Sequence, residues 1–363
     1  MFSRLTGYGK MERMSMRGAV NVSYFDMMKH IKREELSGLY LLYGSESFMV
    51  SDTLQKLTGS ALSEEEIEFN LSQFDMKDTP VELAIEEAYT FPFMGSKRVV
   101  ILKEAYFFTG MKVTAKAEHD LKKLEAYIQN PAPETVFIAV VPSEKLDERK
   151  KITKLFKKHG RVMEGKPFEE KELFSWLDEK AKEQNVTIDR EAKGQLLMLT
   201  ASNLMLISSE LRKMAIYTGE GNTITKEVVD ELVARSLEQN IFSLVDGVVK
   251  QNLDGAWRIF DDLLKQKEEP IKILSLLARQ FRILYQVKQL SEQGYSQKQM
   301  ASQLKLHPYA VKLAAGQAQR FEDRHLLTIL DQLAETDFKI KTGQLDKKLA
   351  VELFLAKQKQ PAY

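Results

Sequence analysis

Cysteine is absent from these 363 residues, which excludes disulfides, thiolate zinc sites and cysteine nucleophiles. Its absence fits a reducing cytosol. An excess of one charge is missing too. The chain has 53 Lys and Arg against 52 Asp and Glu, a net charge of +1, so no global field draws it to nucleic acid or membrane. A local basic face is still compatible with that balance. No apolar run is long enough to span a bilayer. Residues 1–16 carry Arg4, Lys10 and Arg13 among Gly, Ser and Met. They lack an apolar core and a small-residue cleavage site, so a secretory signal is not expected. Residues 1–19 are expected to be a disordered tail, with Met14 or Met16 as alternative starts. The rest has ordinary soluble, globular composition, in a length that suits two or three domains.

A further absence concerns chemistry. Leu39-Tyr40-Leu41-Leu42-Tyr43 is a short apolar run that reads as a fully buried strand. Gly44-Ser45-Glu46-Ser47 then leads into a helical stretch. A phosphate-binding loop in this setting needs G-x-x-x-x-G-K-[ST]. Its amides cradle phosphates, its Lys neutralises charge and its hydroxyl holds Mg²⁺. Here Met49, Val50 and Ser51 stand where Gly, Lys and Ser/Thr are required, and Glu46 adds a negative charge. The frame of a nucleotide-binding domain is present without its chemistry, and no cofactor is expected. A binding or machine-part role is favoured over an enzyme.

The first third alternates strands and helices. Strands are predicted at Leu39–Tyr43, Glu68–Asp75, Val99–Leu102, Thr135–Val141 and Arg161–Met163. Helices are predicted at Ser47–Leu62, at Pro80–Ala88 with Thr79 as cap, at Leu121–Asn130 and at Lys145–His159. This alternation implies βαβ units and a mostly parallel sheet. Pro167 marks a boundary, and beyond it strand signals almost vanish. Helices are predicted at Lys171–Gln184, Asp189–Thr200, Ser202–Thr218 and Lys226–Arg235. A second boundary is placed near Leu237–Asn240. The remainder reads as helices at Ile241–Lys250, Leu253–Gln266, Pro270–Glu292, Ser296–Leu304, Pro308–Ala318, Glu322–Thr342 and Leu345–Lys357.

Phe91-Pro92-Phe93-Met94-Gly95 lies between a helix and a buried strand. Connections run over the surface, so these side chains are expected to form an exposed tip, stiffened by Pro92 and freed at its exit by Gly95. Aromatic and Met side chains on a rigid tip suit a partner's pocket. The alternative is that the cluster packs inward as core, with Phe91 the first of the four to do so. Residues 295–321 read like a helix-turn-helix, with Lys298, Lys305 and Lys312 facing phosphates. However, Pro308-Tyr309-Ala310-Val311 offers few base-reading side chains, and two packed helices account for the pattern as well. His30, His119, His159, His307 and His325 show neither metal spacing nor a partnered nucleophile. Trp176 and Trp257 sit on amphipathic helices and read as core.

Four segments together resemble the delta subunit of the bacterial DNA polymerase III clamp loader, in its Bacillus-type branch. They are Leu39–Glu46 with its lysine-free turn, Ala88–Leu102, Ser202-Asn203-Leu204 with Glu210–Met214, and Glu335–Gly343. The resemblance runs from about Val22 to Lys357. It implies an α/β plus all-α protein: a degenerate AAA+-like RecA-type domain over residues 20–165, a small helical lid over 166–237 and a helical collar over 238–363.

It also implies a non-catalytic, cytoplasmic subunit of the replisome. In that role Phe91, Pro92, Phe93 and Met94 bind the sliding clamp (the beta subunit) and help open it, with Phe93 and Met94 as anchors. The collar assembles with the tau/gamma motor subunits and delta-prime, above primer-template DNA, where Lys339 and Lys341 are candidates for backbone contact. No membrane partner is implied. Active lids of related ATPases place an Arg where Met205 stands. The Asp-Glu pair that holds Mg²⁺ and water is likewise missing from Val99–Glu104. The alternative is a degenerate AAA+ or helix-turn-helix DNA-binding regulator.

Overall fold

The computed structural model describes residues 21–33, 36–234 and 237–358. The tail expected over residues 1–19 lies outside them. The chain divides into two compact units between Lys166 and Pro167.

The first unit is built on six parallel strands. In chain order its elements are β1 (Asn21–Val22), α1 (Tyr24–Lys32), β2 (Leu39–Gly44), α2 (Ser47–Ala61), α3 (Glu64–Asn70) and β3 (Leu71–Asp75). Then follow α4 (Val81–Ala88), β4 (Arg98–Lys103), α5 (Leu121–Gln129), β5 (Thr135–Val140), α6 (Lys151–His159) and β6 (Arg161–Gly165). The strand order is β1-β6-β2-β5-β4-β3. Central β2 pairs with β5 (Leu41 opposite Ala139) and with β6 (Gly44 opposite Gly165). Its first five residues are buried, as are those of β4 and β5. Strands covered on both faces read as unbroken apolar runs, which is why all three are visible in the sequence.

Three expectations for this unit are corrected. Residues 68–70 are the end of α3, not a strand. Ser63 and Glu66 form a capping box that starts a helix there. Thr79 does not cap α4, because Pro80 is the N-cap residue and Nδ1 of distant His119 accepts the Val81 amide at 3.2 Å. Residues 145–150 are not helical. Asp147 accepts from the Arg149 amide at 3.1 Å and gives its own amide to the Phe108 carbonyl at 2.8 Å, so this stretch is tied to its neighbours before α6 begins. Helix α1 was not anticipated. It buries Tyr24, Met27, Met28 and Ile31 behind an N-cap at Ser23.

The second unit is helical apart from one two-stranded pairing. Its elements are α7 (Glu170–Glu183), β7 (Thr187–Ile188), α8 (Arg190–Leu199), α9 (Leu204–Thr218), β8 (Thr223–Ile224), α10 (Lys226–Leu232), α11 (Leu237–Val249), α12 (Leu253–Lys265), α13 (Pro270–Glu292), α14 (Gln297–Leu304), α15 (Pro308–Ala318), α16 (Asp323–Lys341) and α17 (Lys347–Lys357). The small pairing of β7 with β8 was not predicted. Residues 237–240, read as a boundary, are the first turn of α11 and bury Gln239 and Asn240. Helix α13 is the spine of one apolar core. Its Leu277, Phe281 and Leu284 are buried in it together with Phe260, Leu326 and Phe354. Trp176 is buried as expected, and Trp257 is packed against this core while partly exposed. The architecture is the α/β plus all-α class.

Candidate functional site

The segment after α4 is an apolar tip whose backbone is held from beneath. Phe91 is 78% exposed, Phe93 60% and Met94 72%, while Pro92 is half-buried. Phe91 therefore faces out with Phe93 and Met94, as an exposed tip requires. Its carbonyl accepts from Arg98, which starts β4 and is buried, at 3.3 Å. The Arg98 guanidinium also pairs with Glu87, whose carboxylate accepts from the Ser72 hydroxyl at 3.0 Å.

The other side of the tip is held by Asn70, the fully buried last residue of α3. Its amide nitrogen donates to the carbonyls of Phe93 at 2.8 Å and Met94 at 2.9 Å. Its oxygen accepts the Phe93 N–H at 2.7 Å. Met94 adopts φ +58° and Gly95 φ +79°, so the chain reverses in two left-handed steps. A side chain at Gly95 would overlap the Glu66 carboxylate. The Phe93 ring lies 5.4 Å from that of Phe69, itself 51% exposed. Phe69 thus enlarges the apolar surface. Sequence reading missed Phe69 and Asn70, because the residues before Leu71 were assigned to a strand.

The turn after β2 is packed against the end of β6. Gly44 has φ +136°, and any side chain there would overlap the Gly165 carbonyl. The Glu46 amide, one a phosphate cradle would present, donates instead to Gly165 O at 2.9 Å. Met49, where the second loop glycine would stand, is buried in the core. Burial pushes the Glu46 carboxyl pKa up, partly opposed by the Phe48 backbone amide. At the end of β4, Glu104 pairs with Lys77 at 2.6 Å, and Met205 lies exposed on α9. Among the described residues no cluster of metal-ligating side chains occurs.

Lys339 and Lys341 lie in the last turn of α16, in the second unit, and each has an acidic partner one turn earlier. Lys339 pairs with Glu335 at 2.6 Å and Lys341 with Asp337 at 2.7 Å. The helix pair α14–α15 is also drawn into ion pairs, with the start of α7. Lys312 meets Glu170 at 2.6 Å and Lys298 meets Glu169 at 3.7 Å.

His307 is the N-cap of α15, and its Nδ1 accepts the Tyr309 amide at 3.2 Å. Burial pushes its pKa down, so the native state favours the neutral ring. Its contribution to stability is whole above the ordinary His value of about 6.5 and falls as pH drops below it, because the unfolded chain then binds the extra proton. His307→Asn keeps a capping side chain. It is expected to flatten the decline in melting temperature between pH 7 and 5, measured by calorimetry.

Comparisons with known proteins agree with one another. A family model for the DNA polymerase III delta subunit matches residues 40–166, and one for the C-terminal domain of that subunit matches 238–358. A model described as a middle domain matches 169–231. The DNA polymerase III subunit delta of Bacillus subtilis is 46% identical over 331 residues, 91% of this chain and 95% of that protein. The probable DNA polymerase III subunit delta of Aquifex aeolicus is 25% identical over 272 residues, 70% of this chain and 72% of that one. Among solved structures, the DNA clamp loader delta protein of Bacillus subtilis matches with a TM-score of 0.74 and 46% identity. That match covers 93% of this chain and 100% of the other.

Proposed function

The chain belongs to the DNA polymerase III delta subunit family, and on that footing we propose that it is the clamp-loader subunit that grips the sliding clamp and helps open it. The observation that carries this reading is the tip: three large apolar side chains exposed side by side on a backbone fastened at both ends. Isolated exposed apolar residues need no explanation, but a rigid cluster of them suits a partner's pocket. Phe93 and Met94 are the anchors, with Phe91 and Pro92 beside them. A contact that favours the open ring over the closed one lowers the cost of opening by the difference in affinity between the two.

In this reading residues 20–165 are the clamp-binding domain, 166–237 the lid and 238–363 the collar that joins the tau/gamma and delta-prime subunits. The loaded complex works in the cytoplasm on primer-template DNA. Lys339 and Lys341 reach the DNA backbone there by exchanging their carboxylate partners for phosphate. The motor neighbours bind and hydrolyse ATP, and this chain does not. The closed turn at Gly44 and the absent loop lysine support that division of labour. Calorimetry with Mg²⁺-ATP is expected to give no saturable heat at micromolar concentrations, and a saturable isotherm would overturn it.

The first test is surface plasmon resonance of the purified chain against the sliding clamp of the same organism, without nucleotide. Tight, saturable binding is expected. A folded chain that fails to bind would remove the tip as a clamp anchor.

A further inference from the structure

Phe91, Phe93 and Met94 hold their apolar side chains in water. A free loop of this composition would fold them back onto the domain surface. Two buried side chains oppose that collapse. Asn70 has one acceptor atom and two N–H donors, and all three are spent on the backbone of Phe93 and Met94, 23 and 24 residues further along the chain. Arg98 reaches the Phe91 carbonyl from the other side. Asn70 is fully buried, so it makes no contact with a docking partner itself. A buried amide that loses its partners is costly, which couples its burial to one conformation of the tip.

We infer that Asn70 is a positioning residue for partner binding, one that keeps the tip in its binding-ready form before the partner arrives. The inference rests on the clamp-binding reading. A tip that is ready only part of the time has its apparent affinity reduced by that fraction. If readiness precedes contact, the loss falls on the association rate.

Asn70→Ala in the full chain is the test, with Asn70→Asp beside it. The aspartate keeps the volume and the acceptor but sets a carboxylate against two carbonyls. Two measurements are made: hydrogen exchange of the Phe93 amide in the free chain, and association and dissociation rates on the sliding clamp. Expected are loss of Phe93 protection and an association rate at least about tenfold slower, with a dissociation rate within about threefold of the parent. A change confined to dissociation, or wild-type rates in a folded variant, would overturn the inference. Phe93→Ala with Met94→Ala is measured in parallel. If that variant binds as the parent does, the clamp reading itself fails, whereas protection of Phe93 still reports the hold of Asn70 on the tip. Should Asn70→Ala not fold, Asn70→Asp carries the same two measurements.

Discussion

Replacing Phe93 and Met94 together by alanine is expected to weaken binding to the sliding clamp about 10³-fold or more. Central apolar anchors cost ~2–4 kcal/mol each on truncation, and each ~1.4 kcal/mol is a factor of ten. The lower end of the sum is the safer figure, because anchor losses do not add fully. The loss should appear mainly as faster dissociation, since the side chains act after encounter. Folding should be untouched. Both side chains are mostly in solvent, and the contacts that shape the tip are made by backbone atoms of these residues. Their melting temperature is the control, with surface truncations of this kind usually within about 0.5 kcal/mol of the parent. Parent-like affinity in a folded double variant would take the tip out of the mechanism.

The tip was legible in the sequence because its signal is local: large apolar residues crowd a connection where polar ones are the rule. Its support was not. Asn70 is one amide at the end of a charged helix, and its partners are main-chain atoms that composition and periodicity do not report. A cue was nevertheless present. Ser63-Glu64-Glu65-Glu66 fits a capping box, which argues for a helix starting at Glu64 rather than a strand. The apparent alternation of Phe69, Leu71 and Phe74 masked it by favouring a strand.

Helix α1 shows the same lesson from the other side. Its buried Tyr24, Met27, Met28 and Ile31 follow the spacing of one helix face behind a capping Ser23, so the signal was there and went unread. The packing of the turn after β2 was half legible. Missing Gly and Lys residues are visible in one dimension, but the contact of Gly44 with Gly165 exists only once β2 and β6 lie side by side.

That contact makes Gly44→Ala the substitution with the largest expected effect on stability. A non-glycine residue with φ near +136° costs ~1–3 kcal/mol in backbone strain alone. The added methyl would overlap the Gly165 carbonyl oxygen, so the end of the β2–β6 ladder must part as well. It cannot do so cheaply. The same carbonyl accepts the Glu46 amide that starts α2, and the Gly44 amide is bonded to Ser143 O at 3.0 Å.

Together these point to a loss of ~3–5 kcal/mol, at the rare end of single substitutions. For a unit of this size that is about a 10 °C drop in melting temperature. Gly59→Ala is the internal control. Gly59 lies within α2, and a methyl there meets nothing, so the exchange should raise stability by ~0.5–1 kcal/mol. Opposite shifts from two glycines 15 residues apart would show that the turn is held by backbone contact. A neutral Gly44→Ala would mean that the turn opens freely, and the case against a phosphate site would lose its geometric support. Val50→Lys, which returns a lysine to the loop position, should not create ATP binding while Gly165 occupies the Glu46 amide.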